Sequence, residues 1–277
     1  MMNTKLKIFF CTLTLSVIAI SSNAHVPFLK PNQFLILHNR LVIESSFTEY
    51  PFQADFAMTS PHFWMINPNG SQTELTPIAK TKGAVYLEPD IVEDGTYRIN
   101  TGIRKGPRYR GVETPGGKLY FSEDTLRFTG HKIELSYYNS ADTYVLKGNP
   151  DYTPRPLNTG VEIIPLSSPH SLSLGGTLSF CVLNDGAPIE NARIVVAYDD
   201  EHYLKRRHGN LYDVENEREN NIYSNSDGIF TFSPRQAGLV LLFVTVHKKL
   251  NDSLWESYNS SLTLEVHPTF GPAMHDH

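Results

Sequence analysis

The chain has 277 residues, with 24 Lys and Arg against 29 Asp and Glu, so its formal net charge is −5 with histidines neutral. An acidic balance with no basic face argues against a nucleic-acid partner. Two cysteines exclude a disulfide-stapled scaffold, because Cys11 falls in an amino-terminal segment with the features of a secretory signal and Cys181 is then alone.

That segment carries Lys5 and Lys7, an apolar run from Ile8 to Ile20, and the small-x-small sequence Ser22-Asn23-Ala24. The pattern is that of a cleaved signal peptide spanning residues 1–24, too short and too poorly flanked for a membrane anchor. The expected product is a periplasmic protein with no stable membrane insertion. Removing 24 residues leaves 253, and losing Lys5 and Lys7 takes the charge from −5 to −7. The mature chain then begins at His25. An amino-terminal histidine offers an α-amine and an imidazole that close a chelate ring on one metal ion, and the amine's ordinary pKa of about 7.7 to 8.0 lets a metal displace its proton near neutrality.

From there the chain is punctuated by turns and carries no sustained helical period. Phe34 to Leu37, Arg40 to Glu44, Phe63 to Ile66, Gln72 to Ile78, Ala84 to Leu87 and Gly95 to Asn100 are short apolar or alternating runs, which predict strands. Gly102 to Lys118, rich in glycine and arginine, predicts a long loop at one end of a sandwich. Lys132 to Tyr138 resumes the strand pattern. The proline-dense stretch Asn149 to Pro156 marks a domain boundary, giving an N-terminal domain over 25–155 and a C-terminal domain over 156–267. Val161 to Pro165, Thr177 to Leu183, Arg193 to Tyr198, Ile229 to Phe232, Gly238 to His247 and Leu262 to His267 supply the second set of strands. Asn184-Asp185-Gly186-Ala187 and Asn225-Ser226-Asp227-Gly228 are tight turns, whereas Asp200 to Asn221 is charged and aperiodic and predicts an insertion. The fold class expected is all-β, with two antiparallel β-sandwich domains of immunoglobulin-like or transthyretin-like type. Cys181, in an alternating strand, predicts a buried thiol.

Val161-Glu162-Ile163-Ile164-Pro165, the Asn184 to Ala192 turn, Ser226-Asp227-Gly228-Ile229-Phe230-Thr231-Phe232 and the run from Ala237 to His247 together resemble the nickel-uptake family domain. That family consists of exported bacterial proteins regarded as periplasmic components of cobalt or nickel transport systems. Its members begin the mature chain with a histidine, as this one does at His25. The resemblance implies a divalent transition metal as ligand, nickel or cobalt first and copper or zinc as alternatives, and an inner- or outer-membrane metal transporter as partner.

With one cysteine at most in the mature chain, a transition-metal site rests on imidazole. The candidate ligands are His25 as the anchor, His247 at the end of an apolar strand, and His62 beside Phe63 and Trp64. His38, between two strands, is expected to serve in packing, whereas His131, His170, His202 and His208 lie in turns or loops and are expected to face solvent. A tail over 268–277 carries Met274, His275, Asp276 and His277 and is suited to transient metal capture. No Gly-x-Ser-x-Gly elbow, His-Glu-x-x-His pair or phosphate-binding glycine loop occurs, so the expected function is binding and not catalysis. Two alternatives stay open: a copper protein built on His25 that stores the metal or activates oxygen, and a metal-independent interaction module of the cell envelope.

Overall fold

The structure is a computed structural model that describes residues 25–121, 125, 128–204 and 221–269, the side chains of 202 and 204 excepted. Residues 1–24, expected to form a signal, much of the charged insertion with His208, and the tail with His275 and His277 lie outside the described residues.

The strands are β1 (Val26–Pro31), β2 (Ile43–Thr48), β3 (Phe56–Ala57), β4 (Phe63–Ile66), β5 (Gln72–Leu75), β6 (Ala79–Lys80), β7 (Val85–Leu87), β8 (Gly95–Asn100), β9 (Arg104–Glu113), β10 (Leu119–Phe121) and β11 (His131–Lys147). After the proline-rich crossing follow β12 (Val161–Pro165), β13 (Leu178–Asn184), β14 (Ala187–Pro188), β15 (Arg193–Tyr198), β16 (Ile222–Tyr223), β17 (Ile229–Phe232), β18 (Gly238–Lys249) and β19 (Leu254–Val266). The chain is all-β, as its turn-punctuated alternation predicts.

Its sheets are arranged in three layers. A ten-stranded sheet has the order β16-β15-β18-β19-β11-β8-β4-β5, with β9 and β10 branching from β11. Because side chains alternate along a strand, this sheet buries both faces. On β18, Val240, Leu242 and Val244 enter a core with Phe180, Val182 and Phe230 of the four-stranded sheet built from β12, β13, β14 and β17. Leu241 and Phe243 point the other way and meet Val26 and Phe28 of β1. Further along that second face, Ala141 and Val145 of β11 pack with Leu29, Ile43 and Leu87 of the five-stranded sheet.

The central sheet takes strands from both sides of the proline-rich crossing. The last strand, β19, lies parallel to β11 from the first half, with Glu134 opposite Leu254 and Thr143 opposite Thr263. Every other ladder is antiparallel among the described residues. The two halves therefore share one sheet, and the four- and five-stranded sheets cover its opposite faces.

Several local expectations change, and His38, expected to pack, is exposed. Gly102 to Lys118 is mostly a hairpin, not a loop: β9 pairs with β11 over its length, and the register slips between Ser136 and Tyr138. Gly106 and Pro107 sit at that slip, where a proline without an N–H is tolerated. Cys181 is half-buried because the alternation of β13 turns Leu178, Phe180 and Val182 inward and leaves the thiol on the other face. His170 is half-buried instead of facing solvent. The Asp185-Gly186 turn matches expectation, with φ of 50° and 80° closing β13 onto β14 in a two-residue hairpin.

Candidate metal site at His25

His25 immediately precedes β1, whose Val26 and Phe28 are buried against β15 and β18. Burial of Val26 fixes the backbone one residue after the imidazole, so the His25 ring is held at the rim of the five-stranded layer. Phe56 of β3 meets it edge-on at 4.8 Å between ring centroids. The His25 Nε2 lies 3.6 Å from Asp55 Oδ2, and the histidine side chain keeps 17% of its exposure. Asp55 is itself oriented, because its Oδ2 accepts from the Glu49 N–H at 2.7 Å.

This geometry has a chemical consequence. A chelate through the α-amine uses the ring nitrogen nearer the backbone, Nδ1, whereas the nitrogen facing Asp55 is Nε2. A carboxylate on the far nitrogen of a ligating imidazole fixes its orientation and raises its basicity. Were the chain cut after Ala24, residues 25 and 55 would fit an amine-and-imidazole metal chelate with a carboxylate behind it.

His62 and His247 do not join it. Phe63 and Met65 of β4 enter the core against the five-stranded sheet, so Trp64 points to the opposite face. His62 stacks on Trp64 at 5.9 Å and is exposed, with Nδ1 2.7 Å from Glu74 Oε1. The strand alternation thus puts His62 across the central sheet from the core that anchors β1. His247 has the same parity as Leu241 and Phe243, but it lies at the exposed end of β18, opposite Ser257 and 6.0 Å from the Phe121 ring. Surrounding protein lowers its pKa to about 4 by desolvation. Its exposure weakens that effect, and the imidazole is mostly neutral at pH 7 with or without it. Among the described residues, no three His, Cys, Asp or Glu side chains are close enough to hold a metal ion together. The ligand set His25, His62 and His247 is therefore not assembled: each imidazole has its own partners. Asp55 was missed in the sequence, since thirty residues and two strands separate it from His25 and only the β2–β3 hairpin folds it back.

A second arrangement the sequence did not disclose is a buried ionic knot between the layers. Arg98 of β8 donates to Asp142 of β11 and to Glu162 of β12, and all three side chains are 2 to 3% exposed. Glu162 also accepts from the Leu157 and Asn158 N–H groups at 2.9 and 2.7 Å. Arg98 donates to the Arg155 carbonyl at 3.1 Å. The proline-rich crossing is thereby tied to both sheets that it connects.

An all-β, layered protein with a rim histidine held by a carboxylate is the class that these features define. Residues 22–248 match the family described as a domain of unknown function, DUF4198, and the chain belongs to that family. No curated protein matches it. Among solved structures, it is similar to the crystal structure of a tetra-tandem repeat in the extending region of a large adhesion protein, at 11% identity and a TM-score of 0.20. That match covers 86% of this chain and 74% of the other, and at this score it bears on neither fold nor function. No helix among the described residues is long and apolar enough to cross a membrane.

Proposed function

We propose that the chain is exported to the periplasm, trimmed after Ala24, and binds one divalent transition metal, nickel or cobalt, as cargo for an uptake system. The observation that carries this reading is the placement of Asp55 3.6 Å from the His25 Nε2, which suits an imidazole already committed through its other nitrogen. The resemblance of the second half to the nickel-uptake family domain supports the choice of metal.

The donor set suits handover better than storage. An amine and one imidazole fill two coordination positions, and no three-donor cluster stands ready among the described residues to fill the rest. A metal held by two teeth keeps open positions for water or for a transporter's own donors. His25 is the ligand, Asp55 orients it, and Phe56 covers the ring.

The test begins with untagged protein recovered from the periplasm, whose first residue is read by mass spectrometry. Material beginning at His25 should take up one equivalent of Ni²⁺ or Co²⁺ at this site, and His25→Ala should lose that equivalent. A mature chain that starts elsewhere, or one starting at His25 that binds neither metal, defeats the proposal. Oxygen consumption by the copper-loaded protein with a reductant would favour the oxygen-activating alternative.

A further inference from the structure

One end of the central sheet is a wing formed where β11 pairs with β9 on one side and with the start of β19 on the other, while β19 pairs with the end of β18. The register sets successive rows on one face of this wing. Tyr138, Tyr258 and Val246 share the first row, and Arg108, Glu256 and Lys248 the second. Arg110 and Leu254 share the third, which Leu250 closes by donating its N–H to the Leu254 carbonyl at 2.9 Å.

Val246 and Tyr258 are half-buried against the core beneath the four-stranded sheet, so that layer ends at the first row. Beyond it Arg108, Arg110, Lys248 and Leu250 are exposed. Ile133 and Leu135, which alternate to the opposite face of β11, are buried. The wing is therefore closed on one side and open on the other. Four strands about 4.8 Å apart make the open side a flat face about 15 Å across.

This face is basic although the chain as a whole is acidic. Residues 104–110 hold Arg104, Lys105, Arg108 and Arg110 and no acid, and the end of β18 adds Lys248 from the far side of the wing. The carboxylates on the face are already engaged. Glu134 takes Arg108 at 3.0 Å, and Glu256 accepts from the Tyr138 and Tyr258 hydroxyls at 3.2 and 2.8 Å. Arg110 and Lys248 have no ion-pair partner among the described residues.

Cations along a strand edge discourage pairing with another chain, but that does not account for leucines exposed among them. Leu250 keeps 45% of its exposure at the tip of the β18–β19 hairpin, beside Leu254. A soluble polyanion would engage the cations and leave the leucines in water. A bilayer with anionic headgroups engages both, because cations meet the phosphates while an apolar side chain enters the acyl boundary.

We propose that this face docks the protein on a membrane surface rich in anionic phospholipid, with Arg108, Arg110 and Lys248 at the headgroup phosphates and Leu250 at the acyl boundary. The protein lies on the bilayer and does not span it. Docking of this kind is independent of His25 and of any metal, so the two proposals stand or fall separately.

The experiment sediments untagged protein with vesicles of phosphatidylcholine alone or of equal parts phosphatidylcholine and phosphatidylglycerol. Binding should occur to the anionic vesicles only and should weaken as salt screens the cations. Arg110→Ala with Lys248→Ala should weaken it about 25-fold, at about fivefold for each cation near the surface. Leu250→Ser should weaken it about tenfold. Lys80→Ala with Lys82→Ala, which removes exposed cations from the β6–β7 hairpin, should leave it unchanged and serves as the control for diffuse charge. The proposal is overturned if neither vesicle binds, if both bind alike, or if the control pair loses as much as Arg110 and Lys248 together. Full affinity in Leu250→Ser also overturns it, and heparin binding without vesicle binding would reassign the face to a soluble polyanion.

Discussion

The Arg98 Nε donates to Asp142 Oδ1 at 2.7 Å, joining two strands of the central sheet, and the same guanidinium reaches Glu162 of the four-stranded sheet at 2.8 Å. One cation thus stands between two buried carboxylates at the place where the chain crosses from its first half to its second. Burial lowers and Asp142 raises the Arg98 pKa, with the net result well above its ordinary value. The cluster is held charged, and the cost of its desolvation is offset only while every member is present.

Arg98→Met should therefore be among the most damaging single substitutions in the protein. It leaves Asp142 and Glu162 buried without their counter-charge, a loss of about 3–5 kcal/mol. A shift of the urea midpoint at unchanged slope would measure it. Replacing Arg98, Asp142 and Glu162 together by apolar residues should recover much of that loss, because no charge is then left unpaired. Equal destabilisation in the single and triple variants would contradict this account.

Tyr144 and Tyr152 lie beside the same cluster, with ring centroids 5.8 Å apart. Desolvation raises the Tyr152 pKa to about 12, and raises that of Tyr144 well above its ordinary value of 10.0. In the unfolded chain both phenols ionise near their ordinary value, whereas the folded state keeps its protons. Above that value the unfolded state binds fewer protons, so stability falls as pH rises. The contribution is complete below about pH 10 and is lost as pH climbs toward and past 12 for Tyr152. Tyrosinate absorbance should appear late and together with unfolding, and Tyr152→Phe should flatten the alkaline limb.

Glycines in left-handed turns should separate into two groups. Gly228 has φ of +72°, and a Cβ there would sit 2.6 Å from the Val182 carbonyl oxygen, a backbone atom that cannot rotate aside. Gly175 has φ of +77° with nothing within 4 Å of its would-be Cβ. Gly175→Ala should cost only the conformational penalty of about 1–2 kcal/mol. Gly228→Ala should cost clearly more, since it also displaces the backbone that joins β13 to the β17 turn. Thermal unfolding of the two variants side by side makes the comparison.

The all-β class, the hairpin turns and the strand segments were legible because they depend on period-two alternation and on turn residues, which are local. Ser226-Asp227-Gly228 and Asp185-Gly186 announce their geometry in the sequence. The parallel pairing of β11 with β19 was not legible, because 120 residues separate Asn139 from its partner Asn259 and no local pattern encodes which strand fills a sheet position. For the same reason the sequence pointed to His25 but not to Asp55, and grouped His62 with it although β4 alternation sends His62 to the other face. The Gly102 to Lys118 segment was unreadable as strand because its hydrogen bonds come from β11, and its own composition of arginine, glycine and proline signals a loop.

The metal reading of His25 yields a prediction that its neighbours can refute. If Asp55 orients the imidazole through Nε2, Asp55→Asn should weaken Ni²⁺ binding by about 10–100-fold, the range for partners behind a ligand, while leaving one equivalent bound. The fold should be unaffected beyond the rim, since Asp55 is exposed and its backbone role is one hydrogen bond from the Glu49 N–H. His62→Ala and His247→Ala should leave the affinity unchanged, because the first ring is paired with Glu74 across the sheet and the second sits against Phe121. Calorimetric titration of the trimmed protein and these variants separates the cases. A large loss on His247→Ala with none on Asp55→Asn would move the site along β18 and away from the β2–β3 hairpin.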